Sequence, residues 1–217
     1  MGNEQTIPQQ NLDQYNPNDS NSPIYKMTII IRGTRKTGKT TLVTRIKGFP
    51  FDEEYQSTST IEITEIPWTS PDNENVIVNA WDTVEHIKSK IDAIPNQMDA
   101  TSVDTIKKAD GVVIMVDQFS NESIELAKQI IIEAADELPI AIFSNFMDIE
   151  KATPVIPTAL TQYMGRFFYI PGSLKTNQGL AELAKWLSLP LLLAKSKLAY
   201  QAYEHSNEEY QLNYKES

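Results

Sequence analysis

Three runs along the chain are apolar almost throughout: Met27–Ile31, Val112–Val116 and Ile140–Phe143. Strands buried on both faces read this way, because neither side of the pleat meets water. Two further runs, Ile61–Ile66 and Val76–Trp81, alternate more and flank the turn-rich Ser70-Pro71-Asp72-Asn73-Glu74-Asn75. That arrangement predicts an antiparallel hairpin at the edge of the sheet. Phe167–Ile170 is the last strand-like run, and helical patterns fit at Lys39–Lys47, Glu122–Glu137, Pro157–Gly165 and Leu180–Leu187. In Ser120-Asn121-Glu122-Ser123 a Ser or Asn is placed to cap the second of these. Strands alternating with helices predict an α/β fold with a largely parallel sheet.

The flanks read differently. Gly2 to about Pro23 is rich in Asn, Gln, Asp and Pro, the composition of a disordered leader. Pro190 interrupts the last helical pattern, an amphipathic segment follows from Leu191 to about Tyr203, and the polar end, Glu204 to Ser217, is expected to fray. The expected division is a leader over 1–23, one domain over 24–189, and a helical extension with a polar tail over 190–217. His86 to Lys108 is long, polar and weakly periodic, as a mobile or functional connection would be.

Composition narrows the function classes. A length of 217 residues suits one domain with a full core plus tails. The net charge of −10 argues against a general nucleic-acid binder, which would show a basic face. With no cysteine, disulfides, zinc–thiolate sites, palmitoylation and a prenyl anchor are excluded together. No apolar run approaches the roughly 20 residues that span a bilayer, and the start of the chain lacks the apolar core of a signal peptide. A cytoplasmic, reducing compartment is expected. Met1-Gly2-Asn3-Glu4-Gln5-Thr6 fits the loose M-G-x-x-x-S/T pattern for N-myristoylation at Gly2. Without a second signal nearby, such an anchor would be weak and reversible.

The strand-like run at Met27 delivers the chain into Gly33-Thr34-Arg35-Lys36-Thr37-Gly38-Lys39-Thr40, with a helical pattern after it. That is G-x-x-x-x-G-K-S/T, the phosphate-binding loop, in the context it requires. Its glycines let backbone N–H groups curl around a phosphate, and the new helix turns its positive end towards it. Lys39 would reach the β- and γ-phosphates, and the Thr40 hydroxyl would hold magnesium. The sequence therefore predicts a nucleoside triphosphate ligand.

Later motifs decide the class. Thr58 lies 19 residues after Lys39, in a polar stretch before the Ile61 run. Asp82 leaves the end of the next strand, placed to hold the same ion through water. Asn145-Phe146-Met147-Asp148 ends another strand as N-x-x-D, and Ser173-Leu174-Lys175 follows the Phe167 run. In order and spacing these resemble the small GTPases of the Ras superfamily, over roughly Tyr25 to Leu189. The stretches RGTRKTGKT, FPFDEEY, ADGVVIMVD and SLKTNQGL resemble more closely one atypical branch, the Rab-like protein 6 group.

The resemblance implies the P-loop NTPase (Ras-like) fold, with six mostly parallel strands, an antiparallel edge strand and helices on both faces. It implies GTP or GDP with Mg²⁺ as ligands. Gly33, Arg35, Lys36, Thr37, Gly38, Lys39, Thr40 and Thr41 would surround the phosphates, and Thr40, Thr58 and Asp82 the metal. Asp148 would accept the guanine N1 and N2 hydrogens, a pairing adenine cannot make. Asn145 would brace the loop, while Ser173, Leu174 and Lys175 close over the base.

Departures from the family pattern bear on catalysis. The usual D-x-x-G-Q is here Asp82-Thr83-Val84-Glu85-His86. A Glu85 carboxylate ~5 Å from a phosphate charge would cost roughly 3 kcal/mol at an effective dielectric near ~20. His86 stands for the glutamine that orients the attacking water, and substitutes for it only if its ring reaches the site. Arg35 sits close to the γ-phosphate where a small residue is usual, able to clamp phosphate, to obstruct the water or simply to point into solvent. Phe146 replaces a lysine beside the base.

Three functions are weighed. The first is a guanine-nucleotide switch of slow intrinsic hydrolysis, with Lys39, Thr58 and, if they reach, His86 and Arg35 as catalytic candidates. Protein partners would read the 51–60 and 83–108 segments. The second is a pseudo-GTPase serving as a structural or scaffolding subunit of a larger assembly. A P-loop kinase is the third, but no arginine-rich lid is visible in the sequence.

Overall fold

A computed structural model describes residues 25–53, 62–82, 106 and 108–215, with side chains as far as Tyr203. The expectations placed on the leader, Gly2, Thr58, Glu85, His86 and most of the 83–108 segment lie outside the described residues.

Six strands form one sheet: β1 (Tyr25–Arg32), β2 (Glu62–Thr69), β3 (Asn75–Asp82), β4 (Gly111–Asp117), β5 (Ile140–Asn145) and β6 (Phe168–Pro171). Their order is β2-β3-β1-β4-β5-β6. All pairs are parallel except β2 with β3, the expected edge hairpin. Its turn closes through the Ser70 N–H to the Glu74 carbonyl (3.0 Å) and Asn73, at φ 61°, to the Ser70 carbonyl (2.9 Å). Pro67, which has no N–H to give a ladder, sits in this edge strand.

Helices cover both faces. On one side α1 (Lys39–Ile46) and α3 (Leu180–Trp186), with the start of α4 (Ser188–Lys215), bury Leu42, Leu183, Trp186 and Leu191 against Ile29, Ile31, Val113 and Phe143. On the other, α2 (Asn121–Glu133) and a 3₁₀ helix (Thr158–Tyr163) bury Ala127, Ile130 and Leu160 against Ile30, Val112, Ile114 and Ile142. The continuous apolar runs are therefore strands sandwiched between two helical layers, with Val112, Ile114 and Met115 fully buried.

Three helices differ from the sequence expectation. The Ser120 hydroxyl caps α2 by accepting the Ser123 N–H (3.2 Å), but the helix stops at Glu133 rather than Glu137. Ala134 turns extended (ψ 142°), and the Arg166 guanidinium takes up the freed carbonyls of Ala134 (3.2 Å) and Ala135 (3.3 Å). The Pro157–Gly165 segment forms six residues of 3₁₀ helix, Thr158–Tyr163. Finally, α4 begins at Ser188 and its backbone continues to Lys215. Pro190 falls in its first turn, where a missing N–H breaks no helical bond.

The start of α4 lies under the amino ends of the central strands. Lys195 reaches Glu74 at 2.5 Å and stands over the Tyr25 ring (4.8 Å), and Lys197 reaches Asp110 at 2.8 Å. Asp110 in turn accepts the Thr28 N–H at 2.8 Å, so one carboxylate joins β1, the start of β4 and α4. Gly111 makes room for this crossing. A Cβ there would stand 2.7 Å from Pro190 Cγ and 3.1 Å from Trp186 Cη2. Gly111→Val is therefore expected to destabilise the fold by roughly 1–3 kcal/mol through overpacking, read as a lowered midpoint in thermal or urea unfolding. An unchanged midpoint would show that α4 docks more loosely than this contact implies.

Candidate functional site

Strand order places the site. The direction in which strands are added reverses at β1, and open α/β sheets bind ligands beyond the carboxyl ends of strands at such a point. The Gly33–Thr40 loop follows β1, Asp82 ends β3, Asn145 ends β5, and Ser173 lies just beyond β6. Four sequence motifs far apart in the chain thus share one rim of the sheet.

The two motif glycines are required for different reasons. A Cβ on Gly33 would meet the Met115 carbonyl at 2.5 Å, so the loop leaves the sheet flat against β4. Gly38 is the left-handed N-cap of α1 (φ 97°), and a Cβ there would press on Asn145 Nδ2 (2.8 Å) and Leu174 Cδ1 (2.9 Å). No side chain caps α1 and no acidic residue occupies its first turn, which leaves its amino end a place for an anion. Lys36 takes the left-handed conformation without being glycine (φ 63°). Lys39 spans the loop, its ammonium donating to the carbonyls of Gly33 (2.7 Å) and Thr34 (2.9 Å). Thr37 is buried and donates to Thr34, whereas Arg35 is exposed on the outside of the loop.

Beside it stands the Thr40–Asp82 pair, the Thr40 hydroxyl donating to Asp82 Oδ2 at 2.5 Å. Asp82 is 3% exposed, and its Oδ1 has no hydrogen-bond partner. Burial pushes this carboxyl above its ordinary range, while the Thr40 bond and the nearby Lys39 pull it down and Glu62 pushes it up again. An unmatched buried carboxylate oxygen next to a threonine hydroxyl suits a hard, oxygen-seeking cation. Magnesium fits this donor set, because it is commonly held by one or two protein oxygens with water and substrate phosphate completing the shell. Among the described residues no cluster of three or more His, Cys, Asp or Glu offers a rival metal cage.

The base side is a second braced unit. Asn145 is buried; its Nδ2 donates to the Thr37 carbonyl (3.1 Å) and its Oδ1 accepts the Leu174 N–H (3.1 Å). One side chain thereby fixes the phosphate loop and the Ser173–Lys175 loop in the same frame. The Ser173 hydroxyl donates to Asp148 Oδ1 at 2.6 Å and accepts the Thr176 N–H at 3.3 Å, leaving exposed Asp148 oriented with acceptor capacity to spare. Leu174 contributes its backbone to this frame while its side chain is buried in the core. Phe146 sits at φ 69°, turning the N-x-x-D loop between Asn145 and Asp148.

Two supporting residues were not singled out from the sequence. Gln118, one position beyond β4, accepts the Thr153 N–H (3.1 Å) and donates to the Met147 sulfur (3.7 Å), bracing the loop that carries Asp148. Asp117 is the register partner of Asn145, so a polar residue at the next strand end was the available signal. Arg45, in the last turn of α1, ties the base loop from outside through Asn177. A cavity of about 360 Å³ lies elsewhere, between Ala109, Leu138, Leu193 and Lys197, and contains none of the motif residues.

A phosphate loop, a paired threonine and aspartate, and a braced N-x-x-D define a P-loop protein. Residues 28–188 match the family model described as Ras family, and the chain belongs to that family of small GTP-binding proteins. It is similar to Rab-like protein 6 of Homo sapiens and of Mus musculus, 28% identical over 191 residues, covering 77% of this chain and 26% of each relative. Rab-like protein 6 of Bos taurus is equally similar, with 27% of its length covered. The chain thus spans about a quarter of the length of these relatives.

Proposed function

We propose that the protein is a Mg²⁺-dependent guanine-nucleotide switch whose intrinsic hydrolysis is slow. The observation that carries this reading is the pair of hydrogen bonds made by Asn145, donated to the Thr37 carbonyl and accepted from the Leu174 N–H, which ties the phosphate loop to the Ser173–Lys175 loop. Lys39 and the N–H groups of its loop bind the phosphates, and Thr40 and Asp82 hold the magnesium, which supplies charge neutralisation when bound. Asp148 accepts from the guanine edge, and the Ser173 hydroxyl fixes its rotamer. Protein partners would read the 51–60 and 83–108 segments according to the nucleotide bound.

Slow hydrolysis follows from sequence. With Glu85 and His86 in place of Gly and Gln, the water-orienting group is altered. Intrinsic turnover in this class is already about 10⁻⁴ s⁻¹, and a lower value is expected here. The test is the nucleotide released by denaturing protein purified with magnesium throughout, followed by a single-turnover assay. Mostly GTP, with turnover below that of an ordinary small GTPase, is the expected result. Turnover as fast as an ordinary member would overturn the slow-hydrolysis part, and no bound nucleotide with no uptake of added GTP would overturn the switch.

The scaffold reading has one structural observation in its favour, the 28-residue α4 that carries exposed Leu189, Leu192, Tyr200 and Tyr203. Hydrogen exchange in the 51–60 and 83–108 segments separates the two. A switch shows protection that differs between GTP and GDP, and a scaffold shows the same protection with either nucleotide or none.

A further inference from the structure

The loop that covers the base is held from inside by Asn145 and Asp148, which bond Leu174 and Ser173. Its outer side has two ties among the described residues. Lys175 meets Glu53 at 3.1 Å, but both side chains are more than half exposed, and such pairs contribute little. The other tie is Arg45. One guanidinium nitrogen donates to the Asn177 side-chain carbonyl and the other to the Phe49 carbonyl at 2.7 Å. Arg45 and Asn177 are both half-buried, and Asn177 is held at φ 66°, the bend that lets the base loop return to Gln178 and bond it through Ser173 (3.0 Å). A single cation therefore joins the end of α1, the chain following it and the base loop.

A cation in the last turn of a helix ordinarily complements the helix dipole and points to water. Arg45 instead spends both terminal nitrogens on two separate loops. The Asn177 loop carries neither Thr40 nor Asp82, so that half of the staple bears on the nucleoside end of the site, while the Phe49 half lies nine residues ahead of Thr58. We propose that Arg45 is a positioning residue that sets the lifetime of bound nucleotide: the Arg45–Asn177 bond keeps the Ser173–Lys175 loop against the base, and release requires it to break. This inference rests on the guanine-nucleotide reading above.

The test is dissociation of a fluorescent GDP analogue from the full chain, chased with excess GDP, with magnesium and with EDTA. Three variants are compared: Arg45→Ala, Asn177→Gly (which keeps the left-handed bend) and the double variant. Each single variant is expected to release nucleotide about tenfold faster, the scale of one charge-assisted hydrogen bond. The double variant should be no faster than either single one, because the two residues act through one bond. The factor by which EDTA accelerates release should match that of the unsubstituted protein, since the metal site is untouched. A merely structural arginine would lower the melting temperature of the nucleotide-free protein and leave release and this coupling unmoved. Should Arg45→Ala fail to fold, Asn177→Gly carries the test alone. Unchanged release, or additive effects in the double variant, would overturn the staple while leaving nucleotide binding intact. An unsubstituted protein that takes up no analogue would overturn the guanine-nucleotide reading, and the staple with it.

Discussion

Asp148→Asn is expected to lower GTP and GDP affinity by at least about a hundredfold while leaving the fold intact. The guanine edge presents two donors, N1–H and the N2 amino group, and a carboxylate can accept both as charge-assisted bonds. Asparagine keeps one acceptor and sets an amide N–H against the second donor, so one bond is lost and a donor–donor contact replaces it. Two losses of ~1.5 kcal/mol each account for that factor. The Ser173 hydroxyl still finds an oxygen, and Asp148 is exposed, so no buried charge or packing changes with it. The same substitution should raise affinity for xanthosine nucleotides, which carry a carbonyl where guanine has its amino group. Competition of GTP, ATP and XTP against a fluorescent nucleotide measures all of this. Unchanged preference for GTP would mean that Asp148 does not read the base.

How much of this was legible in the chain depended on the range of the interactions. Strands β1, β4 and β5 were readable because burial on both faces writes a continuous apolar run, and the phosphate loop because its glycines answer steric demands that only glycine meets at Gly33 and Gly38. That Asp82, 42 residues on, comes beside the phosphate loop was expected from its place at the end of a strand next to that loop, and its bond to Thr40 brings the two together. What stayed hidden was decided by partners distant in sequence. The early end of α2 depends on Arg166, about 30 residues away, and propensity through Glu137 gives no sign of it. Arg45 reads as an ordinary helix-end cation until the fold brings Asn177, 132 positions later, within reach. The 3₁₀ form of Thr158–Tyr163 is likewise a tertiary outcome, with Leu160 buried against α2 and the sheet.

Asp82→Asn should move stability and binding in opposite directions. Asp82 buries a carboxylate with one oxygen unmatched, and burial is the leading cause of its raised pKa. A group whose folded pKa lies above its unfolded value of 3.8 favours the folded state while protonated and loses that contribution as pH rises through the folded value. At neutral pH the ionised carboxylate is therefore a net burden on the empty fold. Asparagine keeps an acceptor for the Thr40 hydroxyl and removes the charge, so the metal-free, nucleotide-free variant should gain about 1 kcal/mol, or roughly 2–4 °C in melting temperature. The gain should shrink as pH falls through the folded value and vanish below the unfolded one, where folded and unfolded forms are both neutral. Affinity for nucleotide with magnesium should instead fall by about a hundredfold, because a hard cation loses an anionic ligand that an amide oxygen does not replace. With EDTA present the two proteins should bind nucleotide alike. For the unsubstituted protein, the magnesium dependence of binding should weaken on acidification, as protons compete for the same oxygen. Melting curves of the empty protein and nucleotide titrations with and without magnesium test both halves. A variant that melts lower when empty, or binds equally well with magnesium, would show that Asp82 is a structural ligand of Thr40 and not the metal's.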